Sequence, residues 1–242
     1  MFEHVYESSF LWAAGLCKNG ILNRKIWSIG NGEVHSSVWN TGYIPKAGLS
    51  IIMRERENDS FYRVGLNIYP LNPLIPDGSL SILFFRHDNI SLLGGVIELF
   101  PAVRIEDDVE QFKQRMDSVA MHYHQDAEAL RQGPGGAGAL SSAEAGFNFY
   151  RAGLEPTPRN FDFVKEAYHN ALDQYKIIVD KRTFECEVSV TDEKESCWRN
   201  HLKFMVQEDM GLKIALDQDV PPDFFTFTSF PPAANDTYRV LL

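Results

Sequence analysis

Leu80-Ser81-Ile82-Leu83-Phe84-Phe85 is the stretch that decides the fold class. It is a short, mostly apolar run between a turn-rich break at residues 70–78 and the polar His87-Asp88-Asn89. A run of that length between turn signals reads as a strand. Gly48-Leu49-Ser50-Ile51-Ile52 and Val64-Gly65-Leu66-Asn67-Ile68 read the same way, separated by Glu57-Asn58-Asp59-Ser60. Breaks this short favour antiparallel neighbours, because parallel strands need a crossover of about a dozen residues or more. Strands are therefore predicted from residue 34 to residue 100.

Outward from the strands the period changes. Ile105, Val109, Phe112, Met116, Val119 and Tyr123 recur at three- and four-residue steps and predict a helix. Glu106, Asp107 and Asp108 open it, where carboxylates suit the positive end of the helix dipole. A second helix is predicted over residues 160–181, with Phe161, Val164, Tyr168, Leu172, Tyr175 and Val179 on one stripe. At the start, Phe10-Leu11-Trp12-Ala13-Ala14 reads as a short helix before a turn at Asn19-Gly20. The tail holds short apolar segments at residues 202–206 and 224–227. No internal repeat is visible. The expectation is α+β, a large antiparallel β-sheet flanked by helices, in a single domain over residues 1–242.

Composition narrows the function classes. With 242 residues, 44% hydrophobic and 12% aromatic, the chain can bury one sizeable core. A net charge of -10 argues against a nucleic-acid coat or a basic membrane patch. Cys17, Cys186 and Cys197 are too few and too scattered for a disulfide framework, and none forms a C-x-x-C pair. Met1-Phe2-Glu3-His4 lacks the basic region and apolar run of a signal peptide, and no stretch reaches the roughly 18 apolar residues of a membrane span. The expected setting is the reducing cytosol.

Local motifs say little. His122 and His124 are two apart in a helix and point to different faces, so a shared metal is disfavoured. Gly133-Pro134-Gly135-Gly136-Ala137-Gly138 follows no strand and precedes no G-K-[ST], so a flexible loop is the plainer reading than a phosphate cradle. There is no G-x-S-x-G elbow to support a serine hydrolase.

An ordered series of short segments says more. Gly42-Tyr43-Ile44-Pro45-Lys46-Ala47-Gly48-Leu49-Ser50 resembles G-x-x-x-E-K-A-G-V-N, and residues 65–76 resemble G-[IV]-S-x-x-x-H-P-x-N-P-x-x-P. Leu93-Gly94-Gly95-Val96-Ile97-Glu98-Leu99-Phe100-Pro101 resembles F-G-G-G-x-D-L-T-P, and Asp107-Asp108 through Phe112 resembles an E-D-x-x-x-F helix start. Arg131-Gln132-Gly133-Pro134-Gly135-Gly136 is similar to R-R-G-I-G-G, which turns the glycine run into a remnant of an active-site segment. Residues 208–216 resemble Y-D-R-G-T-K-F-G-L, and Thr226-Phe227-Thr228-Ser229-Phe230-Pro231-Pro232 resembles I-L-M-S-L-P-P. Seven segments in this order, over roughly residues 27 to 232, resemble the oxygen-dependent coproporphyrinogen III oxidases.

The departures from that family bear on chemistry. Positions of its histidines hold Tyr69, Ser79 and Lys113, with a deletion for the fourth, and these side chains make no plausible divalent-metal shell. Its arginines are replaced by Leu71 and Leu83, which removes the bidentate partners a tetra-acid needs. Its F-F-D-D has become Gly138-Ala139-Leu140-Ser141. These changes argue against a genuine coproporphyrinogen oxidase. The family's essential aspartate corresponds to Glu98, a carboxylate beside an apolar run and so a candidate general base. An ordinary strand-end glutamate is the bland alternative. Tyr69 is the second catalytic candidate, as a hydrogen-bond donor. Arg86 and Arg131 are candidates for a substrate carboxylate, and Asn72, Asp209 and Lys213 match further family positions.

The resemblance implies an oxidase or oxygenase with O2 as co-substrate and neither metal nor organic cofactor. Its substrate would be an electron-rich, non-porphyrin small molecule such as a pyrrole, indole or phenol. The base, the orientation and the exclusion of water would come from the protein. A homodimer formed through the sheet is also implied. The rival expectation is a non-catalytic binding or assembly protein on the same scaffold.

Overall fold

Among the described residues, seven strands form one antiparallel sheet in sequence order: β1 (Ile21–Ile29), β2 (Gly32–Asn40), β3 (Lys46–Arg56), β4 (Asp59–Tyr69), β5 (Asp77–His87), β6 (Ile90–Phe100) and β7 (Phe147–Asn148). The computed structural model describes residues 1–57, 59–132, 145–152, 154–185, 191–207 and 209–232. The helices are α1 (Phe2–Leu16), α2 (Glu106–His122), α3 (Ala127–Gln132), α4 (Phe149–Ala152), α5 (Pro158–Arg182), α6 (Asp192–Gln207), α7 (Met210–Asp217) and α8 (Pro222–Thr228). The chain is thus α+β, a seven-stranded antiparallel sheet flanked by helices.

Two expectations are revised. Strand structure starts at Ile21, not near residue 34. β1 is an edge strand with most side chains exposed, so Asn23, Arg24 and Lys25 break the apolar pattern that marks the buried strands. The tail segments at 202–206 and 224–227 lie in helices α6 and α8. The glycine run, residues 138–141, Cys186 and Glu208 fall outside the described residues.

The first face of the sheet carries α1, α2 and α5. Leu49, Ile51, Val64, Leu66, Ile68, Leu80, Ile82 and Ile97 meet Phe112, Met116, Phe163, Tyr168 and Leu172 in one apolar cluster. Helix α5 has clear local causes. The Thr157 side chain accepts the Asn160 N–H, Pro158 opens the first turn, and Lys181 and Arg182 sit in the last. Burying each such apolar side chain stabilises by about 1.5–3 kcal/mol, so this face anchors the fold.

The second face is covered by α6, α7 and α8, and also has an apolar set: Ile52, Phe61, Leu83, Val96, Tyr150, Leu202, Met205, Leu212 and Phe225. Strand alternation places a different population among them. Lys46, Arg54, Arg63, Asn67, Asp77, Ser79 and Glu98 are all buried.

Candidate functional site

Register fixes the floor of this second layer. Ser36, Ser50, Gly65, Ser81, Val96 and Asn148 stand side by side in one row across β2–β7. A parallel row holds Gly48, Asn67, Ser79 and Glu98, and the row on the other side holds Ile52, Arg63, Leu83 and Gly94. Small side chains therefore occupy the middle of the face, and long polar ones flank it.

Glu98 is 5% exposed and pairs across the strand with Ser79. Its Oε1 accepts the Leu99 N–H at 2.9 Å and the Ala145 N–H at 3.5 Å. Ser79 donates to Asn67 Oδ1 at 2.9 Å. Tyr69 is fully buried on the same face and donates to the Ser229 carbonyl, with Met205 Sδ at 3.7 Å. Lys46 donates to the carbonyls of Thr226 and Phe230 at 2.7 and 2.6 Å, and burial pushes its amine down to about 7. Gly48 lies so close under α8 that a Cβ would stand 1.9 Å from the Thr228 carbonyl oxygen. The strand bearing Lys46 and the turn after α8 are thus tied together over the layer.

Two further clusters share the face. Asp209 caps α7, accepting from Gly211 and Leu212 N–H at 2.7 and 3.3 Å, and its Oδ2 lies 3.8 Å from Arg63 Nη2. Arg63 is 1% exposed, and its Nε and Nη1 have no acceptor. The Tyr150 hydroxyl lies against Ser81 and Arg63 without a well-formed hydrogen bond. Burial raises its pKa first, and nearby Asp209 adds to the shift. The other cluster centres on Asp77, which pairs with Lys194 at 2.6 Å, both fully buried. His201 Nδ1 lies 3.7 Å from Asp77, and neither ring nitrogen has a hydrogen-bond partner. The ring stacks on Phe100 at 3.9 Å. The Cys197 thiol, 3.5 Å from Asp77, is pushed up by burial and then by that carboxylate.

Of the residues singled out in the sequence, Glu98, Tyr69 and Asp209 are brought to this layer. The others are elsewhere. Arg86 follows the opposite alternation on β5 and bonds Ser60 at 3.0 Å on the first face. Arg131 is ion-paired with Asp117 and sits 5.5 Å over the Phe147 ring, also on the first side. Asn72 is a loop staple, binding the Arg182 carbonyl at 2.8 Å and the Leu74 N–H at 2.9 Å. Lys213 is exposed and reaches the Gln207 carbonyl. Arg63, Asp77, Lys194 and His201 went unread. For the last two the signal was present: Lys194, Cys197, Trp198, His201, Leu202 and Met205 follow helical spacing and are all buried.

A groove of about 540 Å³ opens elsewhere, between α1 and β1–β2, lined by Tyr6, Phe10, Leu11, Arg24, Ile26 and His35. Its size suits a small ligand, but its polar side chains belong to the protein's wet edge. Among the described residues no three His, Cys, Asp or Glu side chains are grouped to hold a metal ion, and no helix is long and apolar enough to cross a membrane.

Comparison with known proteins gives a fold and no family. No family model matches the chain, and no curated protein matches it. Membership of the coproporphyrinogen oxidase family is therefore unsupported. Among solved structures, the chain is similar to phytochromobilin synthase from tomato in complex with biliverdin, with 13% identity and a TM-score of 0.52. The match covers 88% of this chain and 79% of that one. At this identity the likeness is one of fold.

Proposed function

We propose that the chain is a small-molecule oxidoreductase that holds a pyrrolic substrate between the second face of the sheet and α6–α8. The observation that carries this reading is the setting of Glu98. It is a buried carboxylate on a floor of small side chains, in the same layer as a guanidinium with unused donors. A similar fold holds biliverdin, which supports a pyrrolic ligand over an indole or phenol.

Glu98 removes the proton from a ring N–H, which raises the electron density of the conjugated system. O2 is the oxidant. The substrate gives up two electrons and two protons, and O2 takes both pairs to become hydrogen peroxide. Tyr69 lines the layer as a hydroxyl, and the helices exclude water. The reaction needs no group beyond substrate and oxygen. A competing reading, binding without turnover, draws on the bonds from Lys46 and Tyr69 to the turn after α8, which hold the cover shut.

Oxygen uptake against a panel of pyrrolic, indolic and phenolic acids separates the two. The expected result is uptake with a pyrrolic compound that falls at least about 100-fold in Glu98→Gln. Uptake unchanged by that substitution removes Glu98 from the reaction. Tight binding without uptake by any compound establishes the competing reading.

A further inference from the structure

We propose that Arg63 and Tyr150 form a seat for a neutral carbonyl oxygen of the ligand, one borne on an extended, multi-ring pyrrolic molecule. The inference rests on the pyrrolic reading above and names the part of the ligand that the second cluster takes.

Arg63 lies in the middle of β4, 1% exposed, with Nε and Nη1 lacking acceptors. Each buried donor left unsatisfied costs about 1–3 kcal/mol, so the arrangement is expensive unless something supplies an acceptor. The Tyr150 hydroxyl, which lies against Ser81 and Arg63 without a well-formed hydrogen bond, stands as a third donor at the same place. The two side chains are accommodated by glycine. A Cβ on Gly65 would come 2.7 Å from Arg63 Nη1, and one on Gly94 would come 2.6 Å from the Tyr150 ring. The guanidinium therefore lies over Gly65, on the small-residue row beside the one that holds Glu98.

Charge selects the kind of acceptor. Asp209 already faces Arg63 at 3.8 Å, and Asp77 is matched by Lys194 at 2.6 Å. A ligand carboxylate at Arg63 would add a fourth acid to a buried layer that already contains Asp77, Asp209 and Glu98, at a large desolvation cost. A ring carbonyl takes the same hydrogen bonds without that charge. Distance selects the size. Gly65 and Glu98 are one row and two strands apart, on the order of 12 Å from strand geometry. A molecule that reaches both Glu98 and the guanidinium is longer than one pyrrole.

The test titrates biliverdin and its dimethyl ester into wild type, Arg63→Met, Arg63→Lys and Tyr150→Phe, following the pigment's visible absorbance. Circular dichroism confirms that each variant is folded. The inference predicts equal affinity of wild type for acid and ester, at least tenfold weaker binding of both by Arg63→Met, partial recovery in Arg63→Lys, and a smaller loss in Tyr150→Phe. An ester that binds at least tenfold more weakly than the acid overturns it, because Arg63 would then be reading a carboxylate. Folded Arg63→Met that binds like wild type also overturns it, while the pyrrolic reading stands. If neither compound binds wild type, the pyrrolic reading fails and the inference fails with it.

Discussion

The two faces of the sheet are made from the same strands and are opposite in character. Residues 64, 66, 68, 80 and 82 point to α1, α2 and α5 and are apolar without exception. Their neighbours one position away, Arg63, Asn67, Tyr69, Ser79 and Ser81, point to α6–α8 and bring buried hydrogen-bonding groups. A fold needs one good apolar layer for stability. A second layer with buried arginine, lysine, aspartate and glutamate flanking its small central row is costly, and such cost is concentrated where ligands bind. The comparison assigns stability to the first face and makes the second the place of the proposed chemistry.

The largest effects should come from breaking each face by its own logic. Phe163→Ala on the first face leaves a cavity and should cost about 3–5 kcal/mol in urea unfolding. Asp77→Ala on the second face should cost about as much, because it strands the Lys194 ammonium in a fully buried site. The faces then diverge. Replacing both partners, Asp77→Leu with Lys194→Met, should recover most of the Asp77→Ala loss, since the buried ion pair is worth little beyond its own compensation. Failure to recover would mean that the second layer is as specifically packed as the first.

A smaller effect is the pH dependence, of opposite sign for Lys46 on the second face and Cys17 on the first. Burial holds Lys46 at about 7 against its ordinary 10.5. The unfolded chain therefore binds the extra proton between those values, and stability should rise with pH across them by up to about 1.4 kcal/mol per unit. Cys17, packed in the first layer, is raised by burial from 9.0 to about 12. Above pH 9 the unfolded thiol ionises while the folded one does not, so its contribution is lost as pH rises toward 12. Unfolding measured from pH 7 to 12 should show stability rising to about 9, level to about 10.5 where the two slopes cancel, and falling above it. Lys46→Met should flatten the rising limb, and Cys17→Ala should soften the fall.

The first face was legible in the sequence and the second was not, for physical reasons. Apolar residues at period 3.6 mark α2 and α5, and the central strands read as apolar runs because both their faces are buried. Helix α6 was missed because its buried stripe includes Lys194, Cys197 and His201, residue types that read as surface. Arg63 was missed because a lone arginine between Tyr62 and Val64 looks solvent-facing. Arg86 was misplaced by one step of alternation, since even-numbered residues on β5 face away from Glu98. Glu98 itself is singled out in the sequence by its glycine-rich surroundings. Those glycines have local causes: Gly95 has φ 142 and would set a Cβ 2.1 Å from the Ser81 carbonyl oxygen, and Gly94 makes room for Tyr150. An antiparallel meander with such close approaches requires glycine at these positions, so a glycine motif alone does not mark a family.

The central claim, that the second layer is the ligand site, is tested most directly by amide hydrogen exchange with and without biliverdin. Added protection should fall on β4–β6 and on α6–α8, with the first-face helices α2 and α5 unchanged. Protection confined to α1 and the β1–β2 edge would place the ligand in the open groove and contradict the account.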